Sequence, residues 1–195
     1  MMTTSRRLLF AAVALAAAGS VSIAFADTEY GTSTRARQGF VLGGALMGGH
    51  MGCETSSGDD CGDGAQPAGG FSVHVGGMAS RSLALMGELW AMRHDDDNWS
   101  ANQVFLTANV RAWLVPRLWL QGGLGLARTS VEFEAGPFMS TSESDSVPAF
   151  VAGVGVELIQ SATFGLDLQL RAGSGFYRDD TRIWNTALGI GASWY

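Results

Sequence analysis

The chain alternates apolar residues with small or polar ones at every second position, in eight stretches of roughly ten residues each. Successive side chains of a β-strand point to opposite faces, so each stretch predicts a strand with one wholly apolar face. In one stretch, Leu106 and Val110 share a parity with alanines, whereas Asn109 and Arg111 share the other parity. The eight predicted strands cover residues 40–49, 71–79, 82–92, 103–113, 118–129, 150–158, 164–176 and 184–194.

The links between these strands alternate between short and long. The short links lie at 80–81, 115–117 and 160–162, and the long links lie at 50–70, 93–102, 130–146 and 178–182. Short turns at one end and long loops at the other are expected of an up-and-down barrel whose tilted strands cross a membrane. The sequence therefore predicts an all-β fold, an eight-stranded antiparallel up-and-down transmembrane β-barrel over residues 39–195.

The choice of residues on the less apolar face separates two architectures. A soluble β-sandwich would show the same alternation, with its apolar face buried and its other face in water. That other face carries paired glycines, such as Gly153 and Gly155, and few charged residues, which is unlike a solvated face. The inside of an eight-stranded barrel has room only for side chains that fill it, so small residues alternate there with large ones. We therefore expect the apolar face to contact lipid.

Several ionisable and amide residues share the predicted inward face. Buried charges have to pair, because an unpaired one costs several kcal/mol. We therefore predict an interior polar network in which acids pair with arginines; the alternative is a set of ordinary solvated surface charges. The predicted network consists of Glu88, Asn109, Arg111, Gln121, Glu157, Asp167, Gln169 and Arg171.

The first 26 residues have the pattern of an export signal. Two arginines precede an apolar run that ends with small residues at Ala26, before Asp27. This order is typical of a secretory signal peptide that is cleaved between Ala26 and Asp27. The alternative is a membrane-anchor helix, because the apolar run is just long enough to span a bilayer. Residues 27–38 would then form a short N-terminal periplasmic segment.

The predicted long loops contain the two cysteines and most of the acids. Cys53 and Cys61 lie in the first long loop, and in an exported protein this spacing favours a disulfide over a metal site. All four long loops are acidic, and the formal net charge of −6 argues against nucleic-acid binding. We interpret these acids as a solvated surface of the loops. A sharper interpretation is that their carboxylates bind Ca²⁺ or Mg²⁺, which bridges them to anionic lipopolysaccharide. We predict no cofactor.

These segments together resemble a known group of proteins. The alternating glycines of 121–127 and 152–157 and the ending 188–195 are similar to the small eight-stranded outer-membrane barrels of Gram-negative bacteria. That group includes the OmpA transmembrane domain, OmpX and the opacity-type porins. The resemblance implies contact with outer-membrane lipid and lipopolysaccharide, and recognition of the C-terminal strand by the barrel-assembly machinery. Here the apolar parity falls on Trp194 rather than on Tyr195, one residue out of the usual register.

The sequence favours a structural or surface-interaction role in the outer membrane: membrane integrity, adhesion, or ion and lipopolysaccharide contact. A narrow porin-like channel is the first alternative, and it depends on whether the interior charges block the lumen. A lipid A-modifying enzyme is the second alternative. The histidines are His50, His74 and His94, and none adjoins a recognised nucleophile or metal motif, so we expect no enzyme.

Overall fold

The computed structural model describes residues 37–55, 64–96, 99–135, 138–161, 163–178 and 181–195. The predicted signal peptide, its cleavage site at Ala26 and Asp27, and the segment before Arg37 lie outside the described residues. No helix in the described ranges is long and apolar enough to cross a membrane. The strands are β1 (Phe40–Glu54), β2 (Gln66–Ser80), β3 (Leu83–Asp96), β4 (Trp99–Val115), β5 (Leu118–Ala135), β6 (Phe138–Glu143), β7 (Val147–Gln160), β8 (Phe164–Phe176) and β9 (Arg182–Trp194).

The strands form one closed antiparallel sheet. Neighbours in sequence pair with each other except β6 and β7, which both pair with β5, and β1 also pairs with β9, which closes the cylinder. β6 and β7 lie along the same edge of β5: β7 pairs with residues 118–127 and β6 with residues 130–135. They therefore occupy one position in the wall, and the described strands make an eight-stranded barrel. The predicted fold class is confirmed.

The two faces of the wall are those that the alternation predicts. Leu46, Leu106 and Leu124 point outward and are 75%, 62% and 73% exposed, whereas Phe105 points inward and is fully buried. A soluble sandwich would bury these leucines against a second layer. The exposed apolar belt is the surface that a lipid-facing barrel requires.

The strands extend further than the alternation indicates. β3 ends at Asp96 and β4 begins at Trp99, so most of the predicted loop 93–102 is paired strand. In the same way, residues 130–135 of β5 pair with residues 138–143 of β6 rather than forming a long open loop. The prediction of long open loops in these two places is wrong, because outward residues there, such as Arg93 and Asp95, are polar. Outward residues are apolar only where they contact lipid, whereas the backbone pairing of the strands continues beyond that region.

The ends of the barrel differ in their connections. Strands β2–β3, β4–β5 and β7–β8 are joined by the short links at 81–82, 116–117 and 161–163, at what we call the turn end. The opposite end, with the connections at 55–65, 97–98, 136–137 and 177–181, is called the loop end. Arg37 and Tyr195 both lie at the turn end, because β1 starts there and β9 finishes there.

Two interior glycines show how tightly the lumen is filled. A Cβ on Gly155 would collide with the indole ring of Trp119, and a Cβ on Gly173 would lie 2.7 Å from the ring of Trp90. Both indoles are almost completely buried. Small residues thus make room for large ones across the lumen, as expected of an eight-stranded barrel.

Candidate functional site

The interior of the barrel is the candidate functional site. The structure places all eight residues of the predicted interior polar network inside the wall, where they are between 1% and 7% exposed. They divide into a central cluster and a group at the turn end. An apolar layer fills the half nearer the loop end.

The central cluster is organised around Glu88. One carboxylate oxygen pairs with the guanidinium of Arg171, and the other accepts hydrogen bonds from the amides of Gln121 and Asn109. Arg171 also donates from Nε to Oε1 of Gln169 at 2.6 Å. Glu88 lies on β3 and Arg171 on β8, four strands apart in either direction around the wall. The ion pair therefore crosses the lumen.

Arg111 contacts mainly neutral side chains, whereas the predicted network pairs each interior arginine with an acid. Its Nε donates to Oε1 of Gln121 at 2.9 Å, and its Nη1 donates to Oγ of Ser193 at 3.4 Å. Its guanidinium lies 4.2 Å from the centre of the Trp119 ring, a cation–π contact. His74 joins the same group through Nε2, which lies 3.2 Å from Oγ of Ser193.

Asp167 is buried near this group but is less well satisfied. Its Oδ1 has no hydrogen-bond partner among the described residues. Asp167 and Arg111 attract each other electrostatically, although no ion pair within 4 Å joins them in the described structure. The predicted pairing of acids with arginines is therefore direct for Glu88 and indirect for Asp167.

Glu157 closes the turn end together with Arg37, Trp113 and Tyr195, a group that we call the turn-end plug. Arg37 Nη2 lies 2.5 Å from Glu157 Oε2 and also donates to the Pro116 carbonyl at 2.9 Å. Glu157 Oε1 accepts from Trp113 Nε1 at 2.8 Å and from the Tyr195 hydroxyl at 3.2 Å. Arg37 also lies 4.5 Å from the centre of the Trp113 ring. Burial, reinforced by Glu157, raises the pKa of Tyr195 to about 12, so its hydroxyl stays a donor.

Sequence reasoning did not identify Arg37 as part of the interior. The prediction assigned it to a periplasmic segment because it precedes the first alternating stretch. The available signal was parity: Arg37 and Val41 are both odd-numbered, and Val41 is fully buried in β1. Trp113 and Trp119 also have inward parity and are likewise buried.

The interior becomes apolar towards the loop end. Trp90 and Phe105 stack with their ring centroids 5.1 Å apart, among buried methionines and alanines. Above them, Gln103 of β4 accepts from the Asn185 amide of β9 at 2.5 Å and donates to the Tyr177 hydroxyl at 3.0 Å. Tyr177 also lies 2.5 Å from Thr129 Oγ1. This Gln103–Asn185–Tyr177–Thr129 group, the loop-side bridge, again joins strands on opposite sides of the barrel.

The remaining predicted features lie at the loop end. Cys53 is near the end of β1, but Cys61 lies outside the described residues, so the disulfide stays a prediction. The loop acids Asp59, Asp60, Asp63, Asp97, Asp179 and Asp180 also lie outside the described residues. Among the residues that are described, no group of three or more His, Cys, Asp or Glu side chains could hold a metal ion.

Comparison with known proteins gives a family and a fold. The family model described as outer membrane protein beta-barrel domain matches residues 11–195. Among the curated proteins compared, none matches the chain.

Similar solved structures include two outer-membrane barrels. Ail, the attachment invasion locus protein of Yersinia pestis, is 14% identical, with 80% of this chain and 99% of Ail covered and a TM-score of 0.59. Its complex with the heparin analogue sucrose octasulfate is 15% identical, with the same coverage and a TM-score of 0.54. Neisserial surface protein A is 12% identical, with 80% of this chain and 96% of that chain covered and a TM-score of 0.55.

Proposed function

Because the chain belongs to the outer membrane protein beta-barrel family, we propose that it is a non-conducting barrel with a structural and surface-interaction role. Its location is the outer membrane of a Gram-negative bacterium. The turn end then faces the periplasm and the loop end faces outward, as in other barrels of this architecture. The proposal concerns what the barrel does there.

The Glu88–Arg171 ion pair is the observation that carries the proposal. It crosses the lumen, and both groups are buried and already paired, so neither is available to attract passing ions. The turn-end plug and the loop-side bridge occupy the lumen below and above it. Opening a path would separate a buried ion pair and leave both charges in the interior without their partners, which is unfavourable. This geometry supports a closed barrel over the porin-like alternative.

Planar-bilayer conductance tests the proposal directly. The refolded wild-type protein should give no stable channel steps. The double variant Glu88→Ala/Arg171→Ala removes the crossing pair. It should conduct more than the wild-type protein if the central cluster blocks the lumen. Arg128→Ala/Glu143→Ala removes an exposed ion pair and serves as its control. Steady ion conductance by the wild-type protein would overturn the non-conducting proposal.

The loop end offers an acidic outward surface. Its described acids include Asp95, Asp96 and Glu132, and the chain carries a net charge of −6. Such a surface does not favour direct contact with a polyanion such as the heparin analogue bound to Ail. We therefore favour contact with lipopolysaccharide phosphates through Ca²⁺ or Mg²⁺, which bind carboxylate oxygens. This contact would add to membrane integrity.

Unfolding in nanodiscs tests this contact. With lipopolysaccharide in the bilayer, Ca²⁺ should raise the unfolding midpoint of the wild-type protein more than that of Asp95→Asn/Asp96→Asn. In phosphatidylcholine nanodiscs the two proteins should respond alike. An equal Ca²⁺ response of both proteins in lipopolysaccharide would contradict a role for these acids.

A catalytic role has less support than a structural one. His74 is 4% exposed and its Nε2 contacts Ser193 in the middle of the barrel, on the side of the wall away from lipid. A lipid A molecule in the outer leaflet would not reach that nitrogen. We propose that His74 is a packing and hydrogen-bonding residue, so His74→Ala should leave the mass of lipid A unchanged in cells that express the protein.

A further inference from the structure

We propose that the loop end of the barrel holds a binding site for an uncharged, mainly apolar small molecule. The site is a cavity of about 410 Å³. This volume lies within the range that small-molecule sites occupy in proteins. The inference goes beyond the structural role proposed above. We call the cavity the cup, and the apolar side chains that line it are those of Met51, Trp99, Ala101, Val131, Phe133 and Ile183.

The cup is formed by inward-facing residues of several strands, one level above the loop-side bridge. Gln103 pairs in register with Thr129, and the next inward pair towards the loop end is Ala101 with Val131. The bridge thus forms the floor of the cup. Because the floor is hydrogen-bonded across the lumen, the cup is a place for binding rather than the entrance of a passage.

The lining of the cup favours an apolar occupant. Water is held stably only where a cavity offers it two to four polar partners. Here the walls are largely aliphatic and aromatic. In the floor, Tyr177 and Asn185 each hydrogen-bond Gln103, and Asn185 Oδ1 is buried without a partner among the described residues. Displacing water from such walls by an apolar molecule is favourable.

One polar atom behind the wall lacks a partner among the described residues. His94 lines the cup, is 6% exposed and packs against the Trp99 ring with centroids 4.7 Å apart. Its Nδ1 lies 2.8 Å from the Pro67 carbonyl, which can only accept, so Nδ1 carries the proton. In the neutral ring Nε2 is then an acceptor, and it has no hydrogen-bond partner in the described structure. This nitrogen is buried behind the wall with almost no accessible surface of its own, so it offers an occupant of the cup no acceptor and leaves the lining apolar.

The charged residues around the cup determine which ligands it excludes. Asp95, Asp96 and Glu132 lie on the adjoining strand segments of the loop end. Arg93 is already paired with Asp95, and Arg182 with Glu54. The carboxylates at this end would repel an anionic ligand. Both arginines are already engaged by acids and would not neutralise the charge of the ligand. The site therefore selects neutral molecules over anions of the same shape.

Two fluorescent probes of nearly the same shape test the proposal. N-phenyl-1-naphthylamine is neutral, apolar and has one N–H donor, whereas 8-anilino-1-naphthalenesulfonate adds a negative charge. Binding is measured as energy transfer from tryptophan to the probe in nanodiscs, with empty nanodiscs as the background. The neutral probe should saturate at one molecule per barrel, and the sulfonate should bind at least tenfold more weakly.

Matched variants on one strand locate the site. Ala101→Phe fills the cup and should abolish saturable binding. Ala108→Phe introduces the same side chain on the lipid-facing side of β4 and should bind like the wild-type protein. Heat-dependent gel mobility verifies that each variant is folded.

Three results would overturn the proposal. The first is binding of the neutral probe by folded Ala101→Phe that equals wild-type binding. The second is equal affinity for the two probes, and the third is a signal that rises without saturation in every variant. The first and third would show that the probe binds outside the cup or partitions into lipid, and the second would show that the site does not select neutral molecules over anions.

Discussion

Arg171 and Glu88 form an ion pair across the whole width of the barrel. They lie on β8 and β3, which are four wall positions apart, and each side chain is at most 4% exposed. Glu88 also accepts from two amides, so its second oxygen is satisfied as well. A pair of this kind ties two strands that share no backbone hydrogen bond. It links opposite sides of the closed cross-section through side chains alone.

The first prediction concerns the loss of one partner of this pair. Arg171→Ala leaves the Glu88 carboxylate buried without its counter-charge, which should lower the free energy of unfolding by about 3–5 kcal/mol. Arg128→Ala removes the same kind of side chain from a pair with Glu143 in which both partners are more than half exposed, and it should cost at most about 1 kcal/mol. Urea unfolding in liposomes gives both values. Similar losses for the two variants would mean that Arg171 is solvated.

The second prediction concerns the lipid-facing side. Leu168 points outward from β8 and pairs in register with Ile190 and Val156 on the neighbouring strands. Leu168→Arg should destabilise the inserted barrel by about 2–4 kcal/mol, because a charge on the lipid face near mid-membrane costs that much. Leu168→Val should stay close to the wild-type protein in the same urea titration. An arginine that cost less than the valine would place this position in water.

The third prediction concerns packing inside the lumen. Gly155→Ala would push a methyl group into the Trp119 ring, so we expect a loss of about 1–3 kcal/mol, as for other overpacked interiors. Gly122 is the matched control, because its outward side has no atom within 4 Å of an added Cβ. Gly122→Ala should be close to neutral in the same unfolding assay. Equal effects of the two alanines would show that the Trp119 ring yields without cost.

The alternation predicts the faces of the barrel because residues of one parity point to the lipid and must be apolar, whereas residues of the other parity point to the lumen. Leu106 faces lipid and Arg111 faces the lumen for that reason. Strand ends carry no such signal once the outward residues are polar, so β4 begins at Trp99 instead of at 103. The pairing of β5 with β6 is hidden from the pattern for the same reason.

The partners inside the lumen are harder to predict than the residues that face it. Parity places Glu88, Glu157, Arg111 and Arg171 on the inward face, but it does not give their height or their angle around the axis. Glu157 consequently pairs with Arg37, a residue outside the alternating stretches, while Arg111 binds Gln121 and Ser193. These contacts depend on the stagger between strands, which is a property of the closed barrel rather than of any one strand.

The last prediction concerns the two C-terminal aromatic residues, which face opposite ways. Trp194 is 52% exposed on the lipid side and contacts Phe164, whereas the Tyr195 hydroxyl is bonded to Glu157 in the turn-end plug. Only Trp194 presents its ring to the outside, where a barrel-assembly machinery could contact the last strand. Trp194→Ser should therefore reduce the folded fraction in cell outer membranes more than Tyr195→Ser does.

Heat-dependent gel mobility of isolated outer membranes measures that fraction. Refolding of the purified variants in detergent, without any assembly machinery, is the control for stability, and there Tyr195→Ser should show the larger defect because it loses the bond to Glu157. A larger loss for Tyr195→Ser in both settings would contradict a recognition role for Trp194. The assembly defect would then follow from the turn-end plug, since an unfilled periplasmic mouth leaves the buried Glu157 carboxylate with fewer donors.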